Sequence, residues 1–440
     1  RKIGYLVFYL QNITDIDDKI IERAKEEKVF WKDLSQKFEK EYLKDMKDLK
    51  IDGVSQYARA TDYIKEIISQ VERLLENGFA YQVSDGIYYD IKKFKDYGKL
   101  SGRTALQAED AVSRIDEARE KRNKGDFCLW KFSKPDEPKW DFKTGKCLGV
   151  AGPAYAKASA GKPGWHIEDT AITEKHFGPQ YDIHGGANEL TFPHHEAEIA
   201  QMEAVSGKKP LVRYWLHSGL LTVGGVKMSK SLKNFISVRD FLEKYSSRLL
   251  RLFILKSHYR SPVDYNEAAV KQAQKEIERI DEFVEKIRHS ERSEESRIKK
   301  SATGFFRAKT LQNDVAKDLI LKIKQDYEKA MNDDFNTPKA LAVIFDLINK
   351  GNKLIDQNEL NQEAAQNIYN LIKEFDQIFS IFLAKEKLVL PFEINKLIKE
   401  REEARRKKDW AKADKIRLQI EGRGYKIEDV IGGPKVKIKT

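Results

Sequence analysis

Apolar residues recur at three-to-four spacing over long stretches in the second half of the chain, and over shorter ones in the first. Ile64, Ile67, Ile68, Val71, Leu74 and Leu75 fall on one face of a helix expected over 62–82. From 84 to 105 the pattern alternates and turns, which predicts short strands. Between 163 and 235, short apolar runs and Gly turns are interspersed with histidines. That pattern predicts an α/β layer with chemistry carried on loops at strand ends. After 266 glycine becomes rare. Leu/Ile/Phe periodicities through 266–288, 304–330, 338–356 and 362–384 predict a helical bundle. A short basic tail domain follows from 390. Two segments interrupt this order. Residues 289–297 are polar and low in complexity and read as an exposed loop, and 143–162 are rich in small residues and read as a loop insertion.

Composition narrows the class. A chain of 440 residues has room for roughly two to four domains. Lys and Arg number 81 against 70 Asp and Glu, a net charge of +11 that favours a polyanionic partner without requiring one. Cys128 and Cys147 are the two cysteines and form no CxxC, which argues against a disulfide scaffold and for a reducing cytoplasm. No apolar run approaches the roughly 20 residues needed to cross a bilayer. Residue 1 is Arg, and Ile3-Gly4-Tyr5-Leu6-Val7-Phe8 reads as a chain already under way, so an upstream segment is expected.

Lys227-Met228-Ser229-Lys230-Ser231 is the strongest chemical signal. Two lysines three apart, after Gly224-Gly225, bring two ammonium groups near one point, and small hydroxyls let the loop approach a phosphate. Such a loop can neutralise charge that builds during displacement at a phosphorus; the bland reading is a basic surface turn. In Asp182-Ile183-His184-Gly185-Gly186-Ala187-Asn188-Glu189, Gly185 and Gly186 let a nucleotide lie against bare backbone, and Glu189 can accept hydrogen bonds from ribose hydroxyls. In Pro193-His194-His195-Glu196-Ala197-Glu198, a helix places His194 and Glu198 at metal-ligand spacing, though a His/Glu salt-bridge cluster fits equally. In Gly164-Trp165-His166-Ile167-Glu168-Asp169, Trp165 walls either a small pocket or the core.

These segments, with Asn12-Ile13-Thr14-Asp15-Ile16-Asp17-Asp18-Lys19 and Trp215-Leu216-His217-Ser218-Gly219, stand in the order seen in cysteinyl-tRNA synthetases, which are class I aminoacyl-tRNA synthetases. His258-Tyr259-Arg260-Ser261-Pro262 and Met331 to Pro338 resemble that family's helical tRNA-binding region, and 404–414 resembles its anticodon domain. The resemblance covers nearly the whole chain outside the two interrupting segments. It implies a Rossmann-type α/β catalytic domain with an inserted connective domain, followed by an α-helical bundle and a small C-terminal domain. The implied divisions are 1–61 and 163–235 for the two catalytic halves and 62–162 for the insertion. They continue with 236–265 for a linking region, 266–389 for the bundle and 390–440 for the anticodon-binding domain.

The implied activity is ligation of L-cysteine to tRNA(Cys) through cysteinyl-adenylate, with ATP and Mg. By resemblance Lys227 and Lys230 stabilise phosphates, Gly185, Gly186 and Glu189 hold adenosine, and Thr14, Trp165 and His195 line the amino-acid pocket. The family holds zinc, which binds the substrate thiolate directly and so separates cysteine from serine; here Asp169, His194 and Glu198 fall at its ligand positions. A monomer in the cytoplasm is implied as well.

Two departures stand out. None of the eight histidines lies in an N-terminal HIGH-type motif, and the first zinc cysteine is absent with it. N-terminal truncation is the expectation, and the chain as it stands is expected to be inactive or nearly so. The second zinc cysteine is replaced by Asp169, a harder ligand, so zinc either persists with altered ligands or is dispensed with. Two rivals are an ATP-dependent cysteine ligase of thiol-cofactor synthesis, which needs no anticodon tail, and a non-catalytic RNA-binding relative, which needs no paired lysines.

Overall fold

The computed structural model describes residues 4–103, 120–142, 160–164, 166–228, 234–293, 305–383, 391–407, 409–430 and 433–438. The chain forms two compact units, 1–381 and 382–440. In the first, β1 (Leu10–Ile13) leads to α1 (Asp18–Glu27), α2 (Trp31–Asp48) and β2 (Gln56–Arg59), and β2 lies parallel to β1. Asp17 caps α1 by accepting from the Lys19 amide. Asp15 accepts from the amide and hydroxyl of Thr61, which fixes the end of β1 against the turn after β2.

The helix expected over 62–82 is α3 (Ile64–Glu76). Its face of Ile67, Val71 and Leu74 is wholly buried. Burial of each such side chain contributes about 1.5–3 kcal/mol relative to exposure. Strands β3 (Ala80–Val83), β4 (Gly86–Tyr89), β5 (Phe127–Phe132), β6 (Trp140–Asp141) and β7 (Ala160–Pro163) then form a sheet in the order β3-β4-β5-β7-β6. Of the strands expected over 84–105, β4 forms, and the chain then turns through a short 3-10 helix at Ile91–Lys93. Helices α4 (Ile167–Phe177) and α5 (Glu196–Ser206) flank β8 (Tyr181–Ala187), which lies parallel to β9 (Val212–Ser218).

Among the described residues of 62–162, Tyr81, Tyr88 and Cys128 form a small cluster of their own, while others pack into the core of the flanking helices. Ile67, Leu74, Tyr89, Leu129 and Trp130 share one apolar cluster with Ile167, Ala171, Ala200 and Met202 of α4 and α5. Polar ties reinforce it. Arg73 holds Glu174 in a two-pronged ion pair at 2.8 and 2.5 Å, and the Thr170 hydroxyl donates to Gln70 at 2.5 Å. α3 therefore sets the position of α4, which carries site residues.

The chain continues through β10 (Leu221–Val223), β11 (Val226–Lys227), α6 (Val238–Leu242), α7 (Ser247–Leu255) and β12 (Val263–Tyr265), with β12 parallel to β10. Four long helices follow: α8 (Glu267–Ser293), α9 (Phe305–Asn332), α10 (Thr337–Asp356) and α11 (Gln362–Phe379). Each of the four periodic stretches thus becomes a helix. The expected loop at 289–297 is corrected in part, because helix α8 runs on through His289 to Ser293; 294–297 and most of 143–162 lie outside the described residues. In the second unit, α12 (Phe392–Arg406), α13 (Trp410–Gly422) and an antiparallel hairpin of β13 (Tyr425–Val430) and β14 (Gly433–Ile438) close over Ile416, Ile420 and Ile427. No helix among the described residues is long and apolar enough to cross a membrane.

Candidate active site and metal centre

Strand alternation builds the floor of the site. β8 and β9 run in register, with His184 opposite Trp215 and Gly186 opposite His217, so these four positions share a face. The Trp215 ring packs on His184 at 4.8 Å between centroids and lies parallel to His217 at 6.1 Å. His195, buried at the start of α5, settles on this platform 5.0 Å from Trp215, and its Nδ1 is 2.8 Å from His217 Nε2. Gly186 makes the room, since a Cβ there would sit 2.7 Å from His195 Cε1. Gly186→Ala is therefore expected to displace the His195 ring and cost about 1–3 kcal/mol, read by thermal or denaturant unfolding; unchanged stability would contradict this packing.

A second cluster lies at the start of α4. His166 precedes the helix with φ of 74°, an uncommon left-handed conformation for a non-glycine residue. Ligand atoms of His166, Asp169 and Glu198 lie within 4.8 Å of one another, as do those of His184, His195 and Glu198. Asn12 at the end of β1 donates to Asp169 Oδ1 at 2.5 Å. Tyr181 and His184 Nδ1 are 2.7 Å apart, and His184 Nδ1 is 3.7 Å from Glu198 Oε2.

The electrostatics of these groups are unusual. Loss of solvent pushes the Asp169 carboxyl up to about 7. Burial raises Glu198 well above the usual carboxylate range, and Asp169 and Glu168 add to it. Glu168 is raised in the same way, and its buried Oε2 has no hydrogen-bond partner. Burial also lowers the imidazoles, His184 and His194 to about 4 and His195 to about 3, with His166 well below its ordinary value. Neutral imidazoles offer lone pairs, and carboxylates crowded against each other call for a cation. This donor set of oxygens and ring nitrogens fits a divalent metal such as zinc.

Of the expected metal set, the structure brings Asp169 and Glu198 together with His166. The expectation treated 194–198 as one helical turn. After the extended Phe192 the backbone is helical through His195 and runs into α5 at Glu196, so 194–198 does lie on continuous helical backbone. His194 meets the His166 ring edge-on at 4.4 Å, and His166 is the imidazole beside Asp169. Lys227 ends β11 and forms a 2.6 Å ion pair with Glu189, both side chains being exposed. Met228 accepts from the Ile236 amide through its sulfur at 3.4 Å. Gly185 is exposed on β8, and Thr14 is exposed just past β1. Trp165, Ser229, Lys230 and Ser231 lie outside the described residues.

Comparison with known proteins gives the context. Residues 1–275 match the family model for the class I (C) tRNA synthetase catalytic domain, 326–384 the DALR domain, and 389–433 the cysteinyl-tRNA ligase anticodon binding domain. A cysteine–tRNA ligase of Methanococcus maripaludis is 41% identical over 439 residues, covering 97% of this chain and 86% of the relative. One from Thermodesulfovibrio yellowstonii is 39% identical over 98% of this chain and 87% of the relative. This chain belongs to the cysteine–tRNA ligase family. A methionyl-tRNA synthetase of Mycobacterium tuberculosis shares its fold, with a TM-score of 0.56 over 84% of this chain and 81% of that one at 14% identity. The family assignment agrees with the class I synthetase fold expected from the motifs.

Two side chains at the acid cluster, His166 and Asn12, carry no signal of their own in the sequence. His166 stands between Gly164 and Asp169, and Asn12 in the segment before α1. Asn12 and Asp169 are 157 residues apart, so only the packing of β1 beside α4 reveals their contact.

Proposed function

We propose that this protein activates L-cysteine with ATP and transfers it to the 3′ end of tRNA(Cys), using a divalent metal held by Asp169, Glu198 and His166. The carrying observation is the half-buried Asp169 and buried Glu198 carboxyls beside neutral imidazoles, in a chain whose relatives are named cysteine–tRNA ligases. Zinc bound there supplies a Lewis-acid contact suited to a thiolate and poorly suited to a hydroxyl. Asn12 orients the Asp169 carboxylate, as outer hydrogen bonds do for metal ligands generally. His195, fixed by His217 and Trp215, walls the amino-acid pocket. The cysteine carboxylate attacks the α-phosphorus of ATP, and pyrophosphate leaves. A ribose hydroxyl of the tRNA then attacks the acyl carbon, and AMP leaves. Lys227, with Lys230, neutralises phosphate charge in the first step. The Lys227–Glu189 pair places that ammonium beside the carboxylate assigned to the ribose. We assign the second unit to the anticodon arm, and read the protein as a cytoplasmic monomer.

The test is cysteine-dependent pyrophosphate exchange and charging of tRNA(Cys) by the full-length gene product. Exchange with cysteine but not serine supports the reading, and exchange with neither contradicts it. Metal affinity supplies a pH signature. Asp169 holds a proton below about 7 and must lose it to bind a metal. Affinity is therefore expected to rise as pH rises towards about 7, by up to roughly tenfold per unit for each proton displaced, Glu198 being raised too and having its own proton to lose. Competition with a chromophoric chelator measures this; an affinity that does not change from about pH 5.5 to about 7.5 excludes Asp169 as a ligand.

A further inference from the structure

The turn between α9 and α10 holds two consecutive non-glycine residues in left-handed conformation, Asp334 and Phe335, each with φ of 52°. For a bulky phenylalanine that is an outlier, maintained only where surrounding contacts enforce it. The Asp334 carboxylate makes those contacts. It accepts from the Tyr259 hydroxyl at 2.7 Å and from two nitrogens of Arg260 at 2.5 and 3.1 Å, with His258 Nε2 3.8 Å away. The Thr337 hydroxyl donates to the Ser257 carbonyl at 3.4 Å. The turn thus grips the segment 257–260 that follows α7.

That segment in turn grips the end of β9. The Gly219 amide donates to the Tyr259 carbonyl at 2.6 Å, and a Cβ on Gly219 would lie 2.1 Å from the Ser261 carbonyl oxygen. Backbone therefore lies directly on backbone, and any shift of 259–261 moves Gly219. Two residues earlier is His217, whose ring meets His195. Arg260 also acts on His217 through its charge, second to burial. A cavity of about 420 Å³, lined by Ser218, Tyr259, Phe335, Thr337 and aliphatic side chains, lies at this joint, so little packing resists a shift once the ionic hold is lost.

We propose that Asp334 is a positioning residue for the reaction: through Arg260 and Tyr259 it fixes Gly219, and with it the His217 imidazole at the floor of the site. The inference rests on the aminoacylation reading for its kinetic test only. In the full-length protein, Asp334→Asn is expected to lower kcat of cysteine-dependent pyrophosphate exchange about tenfold with ATP KM little changed. In a His217→Ala background the same change is expected to cost less than about twofold, whereas with Lys227→Ala the two losses should multiply. An equal loss in the His217→Ala background, or none in the parent protein, overturns the proposal. Should Asp334→Asn lower the folded fraction, Arg260→Lys, which removes the two-pronged contact and keeps the turn, takes its place in the cycle. A readout without catalysis separates the two readings. The His217 ring resonances should shift on Asp334→Asn whether or not exchange is observed; unmoved resonances sink the positioning role alone, while absent exchange in the parent sinks the aminoacylation reading alone.

Discussion

Lys227→Ala in the full-length protein is expected to slow cysteinyl-adenylate formation by roughly 10- to 1000-fold, the usual cost of one preorganised contact to a developing charge. The lysine ends β11, which β10 and β12 support on one side, and Gly224 and Gly225, both at positive φ, form the turn that aims it. Its ammonium is held 2.6 Å from Glu189, at the end of the β8 strand that also supplies Gly185 and Gly186. Both partners are exposed, so the pair itself adds little to stability. The expected loss therefore falls on rate and leaves unfolding unchanged. Because the charge on the triphosphate grows as pyrophosphate departs, the loss should appear mainly in kcat. A raised ATP KM with turnover intact would assign Lys227 to ground-state binding only.

Asp169→Ala is expected to weaken metal binding by at least roughly 100-fold, beyond what loss of an outer hydrogen bond does. It removes one of two carboxylates that converge with His166, and it frees Asn12. Selectivity for cysteine over serine should fall with it, since packing alone distinguishes such a small difference poorly. Asp169→Cys restores a soft ligand and is expected to tighten zinc binding with cysteine selectivity at least maintained. Elemental analysis of the purified variants, with cysteine- and serine-dependent exchange, checks both. Full metal content in Asp169→Ala would place the ion elsewhere.

The helical half was legible because its apolar period is long and uninterrupted, from Val270 and Ile277 in α8 to Phe375 in α11. The extent of α8 past His289 was not, since polar composition suits an exposed helix end as well as a loop. The packing partners of α3 were not legible, for a physical reason. The apolar face of α3 is a generic one, and nothing in Ile67 or Leu74 says that its partners are Ile167 and Ala171 of α4, about a hundred residues on. Residue type and spacing single out Asp169, Glu198, His195, Glu189 and Lys227 as candidates. The nearness of His166 to Asp169 was not legible, because it depends on a left-handed backbone at His166. The pairing of Lys227 with Glu189, and of Asn12 with Asp169, comes from strands brought together only in the fold.

Asp169, Glu198 and His166 would hold the proposed metal, which would supply a Lewis-acid contact for the substrate thiolate. Cobalt-loaded full-length protein titrated with cysteine tests it. Bonding of a thiolate to cobalt produces a near-ultraviolet charge-transfer band, so the account predicts an increase in that absorption on adding cysteine, none on adding serine, and loss of the response in Asp169→Ala. Cysteine binding with no new band, or full cysteine-dependent exchange by protein stripped of metal, would show that the site recognises cysteine by shape and hydrogen bonding instead.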